Sequence, residues 1–302
     1  MDKPKPIPII CGPTGVGKTA LAVQLADRCP IEIVSADSRQ IIKYLDIGTA
    51  KPTAEQHRRV MFHLIDLIEP GERYTAFRFI TDANRVIREI LQRGHVPLVV
   101  GGTGLYLRAL SEGVVEIEQE DMEIRQKIER EMEELGPEAM HERLMSIDPL
   151  EAARIHPNNR VRVIRALEIF HLTGKTKSEL VETGAYKRSE FDFCYHCLLM
   201  PRERLYDRIN SRVDQMMTGG LLEEVQGLVS RGMKDQLRKA RVIGYAELLD
   251  YLEGKSQLEE AVAMIKQNSR RYAKRQMTWF RHQAGGTFYS DPARLIRALV
   301  PG

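Results

Sequence analysis

The chain lacks any apolar run approaching the roughly 20 residues that a membrane-spanning helix needs. Its opening residues, Met1-Asp2-Lys3-Pro4-Lys5-Pro6, hold no apolar stretch of a secretory signal, so a cytoplasmic protein with no membrane partner is expected. Cysteine is scarce. Cys11, Cys29, Cys194 and Cys197 are too few and too unevenly spaced to staple a chain of 302 residues. The spacing Cys194-Tyr195-His196-Cys197 has no second pair to complete a zinc site, and on an alternating strand the two thiols point to opposite faces. Internal repeats and low-complexity tracts are absent too. With 43% hydrophobic residues, what remains is a globular chain able to bury one large domain and an insertion.

Charge is absent locally rather than overall. The formal sum is only +3, yet no acid lies between Glu260 and Asp291, where Lys266, Arg270, Arg271, Lys274, Arg275 and Arg281 all fall. Arg270 with Lys274 and Arg271 with Arg275 place like charges four apart on one helix, at a cost of about 0.2–0.5 kcal/mol per pair that a polyanion would relieve. A second basic group, Arg160, Arg162 and Arg165, follows His156-Pro157-Asn158-Asn159. Two such groups far apart in sequence point to a nucleic-acid backbone. The stretch Glu116–Glu134 is the acidic counterpart, with nine acids against three bases.

The positive signal is Gly12-Pro13-Thr14-Gly15-Val16-Gly17-Lys18-Thr19, set between the apolar run Ile7–Cys11 and the helix-forming Ala20–Ala26. Strand, glycine-rich loop and helix in that order build a phosphate cradle. Backbone N–H groups of Gly12, Thr14, Gly15, Val16 and Gly17 turn towards an anion, Lys18 adds a mobile positive charge and Thr19 offers a hydroxyl to Mg²⁺.

Strands are expected at Ile7–Cys11, Ile31–Ser35, His63–Asp66 and Val96–Val100, with a return strand within Phe191–Met200. Interleaved with helices they make an α/β protein, a P-loop parallel sheet flanked by helices with a mainly helical insertion domain. Residues 1–115 form the first part of the core and 116–190 the insertion, where Met122, Ile124, Ile128, Met132 and Leu135 recur at helical spacing; 191–302 return to the core and its basic helices. Ser256-Gln257-Leu258-Glu259 reads as a capping box opening the last long helix. Three motifs follow strand ends and should meet in one crevice: the cradle, Ser35-Ala36-Asp37-Ser38-Arg39-Gln40, and Gly101-Gly102-Thr103-Gly104. Asp37 can take a proton there or hold a metal-bound water, and Thr103 can donate to an anion. Asp66, an acid ending an apolar run, is the rival metal-holding carboxylate or else a structural acid.

Taken together, these segments closely resemble the tRNA dimethylallyltransferase family, in its compact bacterial form. The likeness runs through Gly12–Thr19, Ser35–Gln40, Asp46–Pro52, Val100–Tyr106, His156–Asn158, Arg165–Glu168, Ile243–Tyr245 and Arg271–Gln276. The resemblance implies transfer of a dimethylallyl group from dimethylallyl diphosphate to the N6 of the adenosine 3′ of the anticodon, with Mg²⁺ as cofactor and the tRNA anticodon stem-loop as partner. It implies Asp37 as base, Ser38 and Gln40 as contacts to the target base beside Arg39, Thr103 near the reacting groups, and Arg212 on the leaving diphosphate. Arg125 and Val161, Arg162, Val163, Ile164 and Arg165 are implied as tRNA contacts from the insertion. Arg241, Gly244, Tyr245, Arg271, Lys274 and Arg275 are implied as further ones. The target base must leave its stack to reach Asp37, so a channel is expected, with tRNA entering between the insertion and the basic C-terminal helix. A monomer is expected. The rival enzyme is a P-loop kinase of a small metabolite or nucleoside, and the non-enzymatic rival an RNA-binding protein that senses a nucleotide.

Overall fold

The computed structural model describes residues 5–115, 122–184, 186–283 and 285–300. Glu116, Glu118, Glu120 and Asp121 of the acidic stretch, and the side chain of Met122, lie outside the described residues.

Six strands build the main sheet: β1 (Ile7–Cys11), β2 (Ile31–Ala36), β3 (Phe62–His63) and β4 (Val96–Gly101), then, beyond the short β5 (Val114–Val115) and β6 (Tyr186–Lys187), β7 (Phe193–Leu198) and β8 (Gly286–Tyr289). Their order is β3-β2-β4-β1-β7-β8 and every pairing is parallel, with β1 registered on β4 through Ile9 and Val99 and on β7 through Ile9 and Tyr195. Ile9, Ile10, Ile33, Val34, Leu98 and Val99 are all buried, the near-continuous apolar reading of strands covered on both faces.

Helices α1 (Lys18–Ala26), α2 (Ala54–Arg59), α3 (Ala76–Gln92) and α4 (Gly104–Glu112) connect the first strands. The expected strand His63–Asp66 stops at His63, because Leu64 (φ 61°) and Asp66 (φ 57°) turn left-handed and end the pairing. Asp66 then forms an ion pair with Lys51, which also holds Asp46 at 2.7 Å, a structural use of the acid.

The chain separates into two compact units, residues 112–188 and the remainder. In the smaller unit β5 pairs antiparallel with β6, and α5 (Met122–Ile147), α6 (Pro149–Ala152), α7 (Arg160–Thr173) and α8 (Lys177–Glu182) surround a core of Ile128, Met132, Met140, Leu144, Val163 and Leu167. Leu135 leaves the predicted apolar stripe: Gly136 (φ 84°) breaks α5 just after it, and Leu135 is 60% exposed.

In the larger unit α9 (Arg202–Thr218), α10 (Leu221–Ser230), α11 (Lys234–Ala240), α12 (Tyr245–Leu252), α13 (Leu258–Gln283) and α14 (Pro292–Leu299) complete the fold. The Ser256–Glu259 pairing is replaced at the start of α13 by a single bond one residue later, the Gln257 N–H donating to Glu260 Oε2 at 3.0 Å. No helix among the described residues is long and apolar enough to cross a membrane.

Near the amino end of β2, Glu32 is buried under three partners that make four hydrogen bonds. Arg93 donates to its two oxygens at 2.9 and 2.8 Å, and His63 and His95 approach at 2.6 and 2.8 Å. The Arg93 hydrogen bonds, followed by those of the histidines, hold the carboxyl at about 2 against burial, which acts the other way. A lowered carboxylate pKa stabilises the fold above the unfolded value and loses that stabilisation as pH falls from about 4.5 towards 2. Arg93→Ala leaves a buried carboxylate short of its main partner and should cost about 2–3 kcal/mol in urea unfolding at pH 7. It should also flatten the stability profile between pH 4.5 and 2; a profile identical to the native chain's would contradict this role.

Candidate active site

The loop after β1 turns inward between two strand ends. A Cβ on Gly12 (φ 147°) would sit 2.3 Å from the Leu198 carbonyl at the end of β7, so only glycine permits the approach. Gly17 (φ 103°) then delivers the chain into α1, whose first turn carries Lys18 and Thr19. Lys18 Nζ donates to the carbonyls of Gly12 and Pro13, each at 2.9 Å. Burial, helped by Arg212, brings its pKa down from 10.5 to about 8, against a raising influence from Asp37.

Helix α9 brings two more cations to the same place. Arg212 Nη1 lies 3.5 Å from Thr14 Oγ1, and its pKa is lowered first by burial and then by Arg208, with Asp37 raising it. The Arg208 guanidinium stands beside Gly17, where an added Cβ would meet Nη2 at 3.4 Å. Three cations gathered on one loop repel one another, and a polyanion is the ligand that relieves them.

Asp37 leaves the carboxyl end of β2 and faces the same cavity of about 1010 Å³, with Thr14, Gly15, Gly17, Lys18, Thr19, Arg208 and Arg212. Its Oδ1 accepts from the Arg39 N–H at 2.9 Å, which fixes the side chain while leaving lone pairs for other donors. Helix α13 closes the cavity with Tyr272, Arg275 and Gln276. Burial, with Asp37 nearby, pushes the Tyr272 phenol up to about 12, so it stays a neutral hydroxyl. Part of the lining is apolar, with Val213, Met216, Leu221, Val242, Ile243 and Ile265 among polar neighbours such as Thr49, Lys51, Gln215 and Ser269.

Other residues singled out in the sequence take varied places. Thr103 stands behind the cavity wall, bonded to residues on either side of it. Its Oγ1 accepts from the Ser38 N–H at 2.9 Å and donates to Ser38 Oγ at 3.3 Å, and the hydroxyl also bonds Tyr272, so it ties the turn after β4 to the loop of Asp37. Gln40 lines the cavity with its amide engaged, accepting from Ser35 Oγ at 3.2 Å and donating to the Ala50 carbonyl at 3.0 Å. Arg39 is exposed and donates to the Ala240 carbonyl at 3.0 Å. Arg241 (φ 48°) and Gly244 line the cavity.

Tyr245 corrects an expectation. It is 0% exposed, its hydroxyl on Glu224 and its ring against Gly48, so it braces the Asp46–Pro52 loop and has no surface to offer RNA. Arg271, Lys274 and Arg275 are exposed on α13. In the smaller unit Val163 and Ile164 are core side chains rather than RNA contacts, while Val161 is 72% exposed and Arg162 is exposed beside it. Arg165 and Arg125 both approach the buried Glu168, at 2.8 and 3.7 Å. An alternating in-and-out pattern along α7 was the available signal: a helix cannot present five consecutive residues to one ligand.

Arg208, Tyr272 and Gln276 face the cavity without having been assigned a role from sequence. Arg208 lies one helical turn before Arg212 and Gln276 one turn after Tyr272, so each shares a face with its neighbour.

A glycine-rich loop, convergent cations and a carboxylate at the edge of one parallel sheet define an α/β protein with an anion-binding site. Residues 40–283 match the family model described as IPP transferase, and residues 5–65 match one described as isopentenyl transferase. The chain belongs to the IPP transferase family. It is 46% identical to a tRNA dimethylallyltransferase of Geobacter metallireducens, covering 96% of this chain and 94% of that one, and 47% identical to one of Anaeromyxobacter dehalogenans, covering 96% and 98%. Among solved structures, the tRNA isopentenylpyrophosphate transferase of Bacillus halodurans superposes with a TM-score of 0.70 at 43% identity, over 98% of this chain and 94% of that one. A eukaryotic dimethylallyltransferase described as acting on tRNA gives 0.77 at 33% identity, over 92% and 70%.

Proposed function

We propose that the chain transfers the dimethylallyl group of dimethylallyl diphosphate to N6 of the adenosine 3′ of the anticodon in tRNA, releasing diphosphate. The observation that carries this is the sharing of one cavity by Asp37, Lys18, Arg208, Arg212 and an apolar wall. The names of the relatives favour this reading over the kinase.

Each part of the cavity then has a task. The allylic C–O bond breaks as the N6–carbon bond forms, and negative charge grows on the departing diphosphate. Loop N–H groups other than that of Thr14, which donates to Gln276 at 2.8 Å instead, meet that charge with Lys18, Arg208 and Arg212. Val213, Met216 and Leu221 offer the apolar surface that a five-carbon group needs. An exocyclic amine is a poor nucleophile, so Asp37 orients it and takes its proton.

Oxygen donors of the right kind for Mg²⁺ are present in Thr19 and Asp37, although no group of three or more His, Cys, Asp or Glu among the described residues could hold a metal alone. That suits an ion held mainly by phosphate and water, with Thr19 as the protein ligand. When bound it neutralises charge on the leaving diphosphate. A monomer acting in the cytoplasm is part of this proposal.

Radiolabelled dimethylallyl diphosphate with unmodified tRNA tests the reading: label should enter tRNA with release of one diphosphate, and no transfer would end it. Arg271→Ala or Lys274→Ala should weaken tRNA binding and lower the slope of log affinity against log salt by about one each, with kcat near native at saturating RNA. An unchanged salt slope would remove those two side chains from the RNA surface.

A further inference from the structure

Gln276 is 7% exposed, and both ends of its amide are occupied. Its Oε1 accepts from the Thr14 N–H at 2.8 Å, and its Nε2 donates to the Gly102 carbonyl at 2.8 Å. The second contact explains Gly102, since a Cβ there would lie 2.5 Å from Gln276 Nε2. One side chain of α13 therefore grips the phosphate-type loop and the turn after β4. That turn is bonded onward: the Thr103 N–H donates to the Ala36 carbonyl at 3.2 Å, and Thr103 holds the Ser38 N–H beside Asp37.

The same helix is fastened to α9, which carries Arg208 and Arg212. Arg270 donates to Asn210 at 2.6 Å, and Lys266 pairs with Asp214 at 2.6 Å. On its exposed side α13 presents Arg271, Lys274 and Arg275. A helix that bears the basic face on one side and Gln276 on the other has a direct hydrogen-bonded connection from that face to Thr14 and Gly102.

We propose that Gln276 is a positioning residue that couples RNA held on α13 to the diphosphate nest, so that the two ligands bind with positive cooperativity. This rests on the reading above, in which both occupy the one site. Linkage makes the effect reciprocal: RNA tightens diphosphate by the factor by which diphosphate tightens RNA.

The test is calorimetric titration of the full chain with inorganic diphosphate, with and without a saturating unmodified anticodon stem-loop. The native chain should bind diphosphate at least about fivefold tighter with RNA present. Gln276→Met keeps length and bulk but loses both hydrogen bonds, and it should bring that ratio below about twofold while each ligand still binds alone. Gly102→Ala displaces the amide from the other side and should do the same. Should both variants unfold, hydrogen exchange on the native chain decides: diphosphate alone should slow amides around Gln276, and RNA alone the Thr14 amide. A native ratio near one, or an unchanged ratio in either folded variant, overturns the coupling. Because this measures binding only, label transfer in the native chain without cooperativity defeats the inference and leaves the transferase reading standing.

Discussion

Asp37→Asn will lower the rate of prenyl transfer at saturating substrates by about 10²–10⁴, the range a positioned general base supplies. Asparagine keeps an acceptor for the Arg39 N–H, which Asp37 holds at 2.9 Å, so the loop after β2 retains its shape and tRNA affinity stays near native. Diphosphate binding separates a chemical role from a structural one. Asp37 raises the pKa of both Lys18 and Arg212, which means that it partly neutralises the cations an anion must meet. Removing its charge should therefore leave diphosphate affinity unchanged or tighter while chemistry collapses. A variant that loses rate and diphosphate affinity together would reveal a carboxylate that only shapes the loop. Transfer at the native rate would remove Asp37 as the base.

The loop-and-carboxylate half of this cavity was legible because local sequence dictates local backbone there. Gly12–Thr19 between an apolar strand and a helix former specifies its own loop, and the acid after β2 falls at the carboxyl edge of a parallel sheet. β1 matched to the residue, and β2 and β4 to within one. The strand read at His63–Asp66 did not, since nothing in an apolar run ending in Asp announces two left-handed residues. Cross-chain pairings were illegible for a different reason. Glu224 reaching the N–H groups of Asp46 and Ile47, or Gln276 reaching Thr14, depends on where helices far along the chain come to lie. Tyr245, Val163 and Ile164 show the converse limit. A motif tied to a function contains the side chains that hold the motif in place, and burial alone tells the two kinds apart.

Lys18→Met should cut kcat by about 10²–10³, the usual cost of removing one donor aimed at developing charge, with RNA affinity spared because the basic face of α13 is untouched. Its pH behaviour is the more discriminating result. With a pKa near 8, Lys18 in the free protein loses its proton as pH rises through that value, and the affinity for inorganic diphosphate should fall with a limiting slope of one proton above it. Proton uptake on binding, read by calorimetry in buffers of different ionisation enthalpy, should peak between about pH 8 and 9 and vanish in Lys18→Met. Stability must run the other way. A lysine whose folded pKa lies below its unfolded 10.5 makes the charged form costly to the fold, so native stability without ligand rises from pH 8 towards 10.5. Lys18→Met lacks that rise and should melt no lower than the native chain at pH 7, despite losing the bonds to Gly12 and Pro13. A native-like pH profile in the variant, together with a melting point several degrees lower, would make Lys18 a structural strut instead of a charge held at a cost for the anion it receives. The fold carries an unfavourable cation in the loop after β1, and a ligand of opposite charge returns that free energy.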